Sequence, residues 1–218
     1  MVWTALSLRF GIALLATLTV WLSPLDGTAK RLSWEERLTS EHSFSFRTNA
    51  DAVLTEWALE RFERARLHLP PLEVTFHDDL ESCGGNFGLY RAGAPDRVDI
   101  CGFNWDRFVV TAKRTLLHEL GHAWTQYNLT DDAREQFLAL RDLDTWGDDG
   151  FPWKEQGSEQ AAEIIAWALI DQELQLAISD ADPENLSHAY AQLTGSLPSL
   201  RESEIATFSR SGRHLDVK

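Results

Sequence analysis

The stretch from Trp105 to Tyr127, WDRFVVTAKRTLLHELGHAWTQY, constrains this chain more than any other. Val109, Ala112, Leu116, Leu117, Leu120 and Ala123 recur at helical spacing and form a broad apolar stripe. That pattern predicts a central, largely buried helix, with Asn104 as its cap. Two histidines and a glutamate, His118, Glu119 and His122, interrupt it. Ionisable groups on a buried helix are costly without partners, so the fold has to bring partners to this helix. His118 and His122 share one face, one turn apart, where two imidazoles can converge on one ion at the ~2.0–2.1 Å that zinc prefers. Glu119 is rotated by roughly 100° around the axis, off the ion and within reach of a water beside it, which is the place of a general base. Gly121 leaves a small surface where another segment can approach closely.

A catalytic zinc takes three protein ligands and leaves a fourth position open. The metzincin pattern would put a glycine at 125 and a histidine at 128, but Thr125 and Asn128 stand there. The acids downstream, Glu159 and Glu163 in GSEQAAEIIAWAL, lie one turn apart on an apolar segment. One of them can bind the metal while the other accepts the second ring N–H of a ligating histidine. Two plainer readings compete. The glutamates can form a solvated helix face, or Cys83, Cys101, His118 and His122 can close a structural Cys2His2 site.

Elsewhere the pattern is α+β. A helix is expected from Asn49, as cap, to Leu67, ended by LPP, and LEVTF (72–76) alternates as a strand. FGLYR and RVDIC read as two strands joined by AGAPD. Thr130 caps a following helix, SEQAAEIIAWALIDQELQLA (158–177) forms another, and Asp182 with Pro183 opens a last one. The loop WGDDGFPWK is either a cleft wall or lid, or an aromatic plug over the core.

The first 29 residues do not read as fold. Arg9, the apolar run from Phe10 to Leu22, SPLDG and a small-residue end at Ala29 form a secretory signal peptide pattern. The alternative is an uncleaved N-terminal anchor, the one route to membrane contact. Residues 30–218 then make a single exported domain, secreted or otherwise extracytoplasmic, and an even cysteine count in that setting pairs Cys83 with Cys101. A net charge of −14 with no Lys/Arg stripe excludes nucleic-acid binding by bulk electrostatics. The sequence sets no oligomeric state.

A His-Glu-x-x-His helix followed by a helix with Glu-x-x-x-acid resembles the gluzincin metallopeptidases, especially their minimal single-domain bacterial members. The resemblance spans roughly Leu72 to Leu176. It implies a zincin-like α+β fold, with a small mixed sheet packed on the motif helix and an edge strand that can pair with an extended peptide. It also implies Zn2+ held by His118, His122 and Glu159, Glu119 as general base, and Glu163 supporting a histidine, His118. The substrate would be a peptide or protein. A donor for the tetrahedral oxyanion is also needed. Tyr90, Tyr127, His188 and Tyr190 are candidates, His188 and Tyr190 foremost. Two other functions remain open: a catalytically silent binding or scaffold protein, and a metal-dependent amide hydrolase acting on cell-wall or small-molecule substrates.

Overall fold

The computed structural model describes residues 42–103, 105–147 and 150–199, with only the backbone described over 105–108. The N-terminal segment, the Asn104 cap and the tail beyond Arg201 lie outside the described residues. Strand β1 (Ser43–Ser45) leads into helix α1 (Asn49–Arg64), then β2 (Leu72–His77), β3 (Gly88–Arg91) and β4 (Asp96–Cys101). Helices α2 (Trp105–Asn128), α3 (Asp131–Arg141), α4 (Gly157–Leu169) and α5 (Pro183–Thr194) follow. The fold is α+β, a small mixed sheet against a central motif helix and a second helix bearing the glutamates.

Strand order is β1-β2-β4-β3, with β1, β2 and β4 parallel and β3 antiparallel to β4. Alternation along β2 and β4 turns Leu72, Val74, Phe76, Val98 and Ile100 into the core. Between the last two, Asp99 points to the opposite face, fully buried. His77 Nε2 lies 2.8 Å from it, and Arg91 and Arg97 also pair with it. A disulfide joins Cys83 to Cys101, so the turn before β3 is tied to the end of β4. That bond removes both cysteines from any metal set and rules out the closed Cys2His2 site. Among the described residues no helix is long and apolar enough to cross a membrane.

Several boundaries differ from expectation. Thr48, not Asn49, caps α1: its hydroxyl accepts Asp51 N while Asp51 Oδ2 accepts Thr48 N. This is a capping box with aspartate in the place where glutamate is usual. The helix stops at Arg64, three residues before Leu67, as Arg66 turns to positive φ and Leu67 N bonds back to Phe62 O. β1, for which no strand was expected, pairs with the outer side of β2. Helix α4 ends at Leu169 rather than near 177. Arg61 Nε takes the Leu169 carbonyl and Ile170 turns to extended backbone. Beyond it, Lys113 holds Asp171, and Arg141 holds the Ser179 and Asp180 carbonyls. Tertiary partners have thus replaced the helical bonds of this polar segment.

Candidate metal centre

Three elements build the site. α2 supplies His118 and His122 from successive turns, α4 supplies Glu159 and Glu163 from successive turns, and β3 runs beside α2 as the sheet's edge. The two helices meet through small residues. A Cβ on Gly121 would lie 3.1 Å from Ala162 Cα and 3.2 Å from its carbonyl oxygen, so the backbones all but touch.

This contact brings three donor atoms together. His118 Nε2 and His122 Nε2 are 3.0 Å apart, and the Glu159 Oε2 atom is 3.1 Å from the first and 3.4 Å from the second. Donors held tetrahedrally at zinc bond lengths lie about 3.3–3.4 Å from one another. The triangle is of that size, and two imidazoles with one carboxylate are a donor set that zinc favours. Among the described residues no other three His, Cys, Asp or Glu side chains converge in this way.

Glu163 stands behind the triangle. Its Oε1 is 3.1 Å from His118 Nδ1, an ion-pair distance without hydrogen-bond geometry. Arg114 grips the same carboxylate from one turn earlier on α2, Nε to Oε2 at 3.1 Å and Nη2 to Oε1 at 2.7 Å. With side chains 20 % and 3 % exposed, Glu159 and Glu163 are not a solvated face.

Burial alone would lower the His118 ring. The bond to Glu159, the Glu163 carboxylate at ion-pair distance and the charge of Glu119 outweigh it and raise the ring to about 10. Burial would likewise raise both acids of α4. Instead the two imidazoles hold Glu159 well below the ordinary carboxylate range, and His118 with Arg114 holds Glu163 down. Glu119 goes the other way. Burial is the main influence and pushes its carboxyl up, helped by Glu159 and opposed by the imidazoles and the Tyr90 backbone N–H. Carboxyls pushed apart in this way suit different roles, the lowered ones as ligand and support and the raised one as a proton acceptor.

The site opens into a cleft of about 600 Å³. β3 forms one wall, α2 the floor, and Trp146 with Trp153 the other wall. The aromatic loop is therefore a cleft wall: Trp153 stacks over His118 at 6.1 Å and 27° and remains 41 % exposed. Residues 148 and 149 of that loop lie outside the described residues. Opposite, the Tyr90 ring stacks on His122 at 6.0 Å, and its hydroxyl donates to Asp96 Oδ2 at 3.0 Å. Burial, and after it Asp96, raises this phenol, so it keeps its proton. β3 can lie this close to α2 because residue 88 is glycine. A Cβ there would come within 2.6 Å of Thr115 Cγ2 and nearer still to Glu119 Oε1.

His188 and Tyr190 do not line the cleft. With Leu186, Ala189 and Leu193, Tyr190 turns into the core at 2 % exposure, where burial pushes its phenol up to about 12, and His188 is exposed. Tyr127 is 67 % exposed, which leaves Tyr90 as the tyrosine of the cleft. Trp146 and Trp153 belong to the loop for which a cleft wall was one expectation, whereas Arg114 was not foreseen at the site. Arg114 did carry a signal: it stands four residues before His118, on the same helical face.

No protein-family model matches the sequence, and no curated protein matches it. Among solved structures, one from Bacteroides caccae, described as a putative zinc-binding metallo-peptidase, is similar at TM-score 0.37 and 12 % identity. The match covers 79 % of this chain and 81 % of that one. A likeness of that degree assigns nothing; the candidate site stands on its own geometry.

Proposed function

We propose that the chain is a zinc-dependent peptidase. The observation that carries this reading is the donor triangle of His118, His122 and Glu159 at the floor of an open cleft, with the buried carboxyl of Glu119 beside it. When bound, zinc supplies Lewis acidity, which polarises the scissile carbonyl and makes a water nucleophilic near neutral pH. Glu119, raised by burial, takes the proton of that water and delivers it to the leaving amine nitrogen. Glu163 and Arg114 hold the His118 ring in place. The free side of β3 offers backbone groups to an extended peptide, and Tyr90, the tyrosine of the cleft, keeps its phenol protonated and can donate to an oxyanion when turned from Asp96.

The buried disulfide supports an oxidising, extracytoplasmic setting. Glu119→Gln tests the reading: it should keep stoichiometric zinc and the fold while hydrolysis of casein or peptide mixtures disappears. Full activity in that variant would remove Glu119 from the mechanism. A wild-type protein that binds zinc yet cleaves neither protein nor cell-wall material would make the site structural.

A further inference from the structure

Arg114 lines the cleft with a third of its side chain exposed, and Glu163 occupies only one edge of its guanidinium. That edge is the one formed by Nε and Nη2. The other fork, Nη1 with the second hydrogen of Nη2, has no partner among the described residues. A fork of two parallel N–H groups matches the two oxygens of a carboxylate, and an anchored arginine loses little further freedom in using it. Its place is set by the helix. Arg114 precedes the metal ligand His118 by four residues, about 6 Å along the axis, a distance of one to two residues of extended peptide.

The direction of a bound peptide follows from β3. Gly88 lies against Thr115 and Glu119, and two residues later Tyr90 stacks on His122, so β3 and α2 run in the same sense. A peptide added antiparallel to β3, the more stable pairing, therefore points its C-terminal side toward Arg114. Glu119 and Glu159 disfavour an anion nearby, a repulsion that a bound divalent cation offsets.

We propose that Arg114 reads a carboxylate on the C-terminal side of the scissile bond. The cleft then selects peptides with an acidic side chain, or the chain's terminal carboxylate, at that place. This rests on the peptidase reading above. Arg114 is thus a specificity-determining residue as well as the support of Glu163.

Binding without turnover provides the test. Zinc-loaded Glu119→Gln protein is titrated calorimetrically with four N-acetylated, alanine-based peptides. Three are C-terminally amidated and carry one central glutamate, glutamine or lysine; the fourth is all alanine with a free C-terminus. At least one carboxylate peptide should bind roughly 10- to 100-fold tighter than the glutamine peptide, and which one wins identifies the source of the carboxylate. Adding Arg114→Gln should erase that preference, read at saturating zinc as the ratio of carboxylate-peptide to glutamine-peptide affinity, whatever it does to the affinities themselves. If Arg114→Gln instead weakens all four peptides equally, the residue is structural and the proposal falls. Equal binding of the four peptides to the Glu119→Gln protein overturns the role of Arg114 and leaves the peptidase reading standing. No binding of any peptide by folded, zinc-loaded protein overturns both. If Arg114→Gln fails to fold, Arg114→Lys takes its place: it keeps a cation beside Glu163 but lacks the planar fork, and should lose the same preference.

Discussion

Gly121 of α2 lies against Ala162 of α4 so closely that a Cβ on the glycine would stand 3.1 Å from Ala162 Cα. This contact sets the spacing of the two helices, and with it the distance from both histidines to Glu159. Gly121→Val should therefore separate the helices at a cost of about 1–3 kcal/mol. It should also reduce zinc retention although no ligand has changed. Metal content after dialysis, together with the thermal midpoint, checks this; a variant with wild-type zinc affinity would show that the close approach is not what assembles the site.

The two acids of α4 differ in what they touch. Glu159 lies within 3.1–3.4 Å of both imidazoles, whereas Glu163 faces His118 Nδ1 and Arg114. Glu159→Ala should release most of the zinc, as should His118→Ala or His122→Ala. Glu163→Ala should weaken zinc by about 10–100-fold without emptying the site at saturating metal. Zinc titration of the variants ranks them directly. The reverse order would exchange the roles of the two glutamates, and no effect from either would place the third ligand elsewhere.

Gly88→Ala probes the role proposed for Glu119 without changing that residue. The added methyl would overlap Thr115 and the Glu119 carboxylate. Glu119 must move, so hydrolysis should fall while zinc stoichiometry holds. Steady-state kinetics alongside metal analysis separates these effects, and an unchanged kcat would mean that Glu119 needs no such placement.

Acid should destabilise the protein partly through Asp51. Burial would raise this carboxyl, but the bonds from Arg47 and the backbone N–H of Thr48 outweigh it and hold it below its ordinary value. A group lowered in the folded state adds stability that is fully present above the unfolded value of about 3.9 and is lost as pH falls through the folded one. Asp51→Asn loses the charge-assisted bonds to Arg47 and should cost roughly 1–2 kcal/mol near neutrality, and the difference from wild type should shrink below pH 4. Urea unfolding from pH 3 to 7 measures this, and a gap that does not change with pH would rule out the linkage.

What the sequence determined by itself is local. His118, Glu119 and His122 belong to one helix, so their mutual placement follows from 3.6 residues per turn once the apolar stripe predicts that helix. The same holds for the Thr130 and Asp182 caps, which the structure retains. Pairing Cys83 with Cys101 needed only a count of two cysteines and the expectation of export. Tertiary structure decided whatever depends on distance between elements. Glu159 reaches His118 across 41 positions because Gly121 admits Ala162. Arg114 finds Glu163 across 49, and Tyr190 turns into the core while Tyr90 comes to the cleft from a sheet edge. Periodicity tells which face of an element is apolar, but not which neighbour covers it or which polar group lies opposite. Those choices belong to packing, where one missing Cβ or one buried ion pair sets how near two backbones can come.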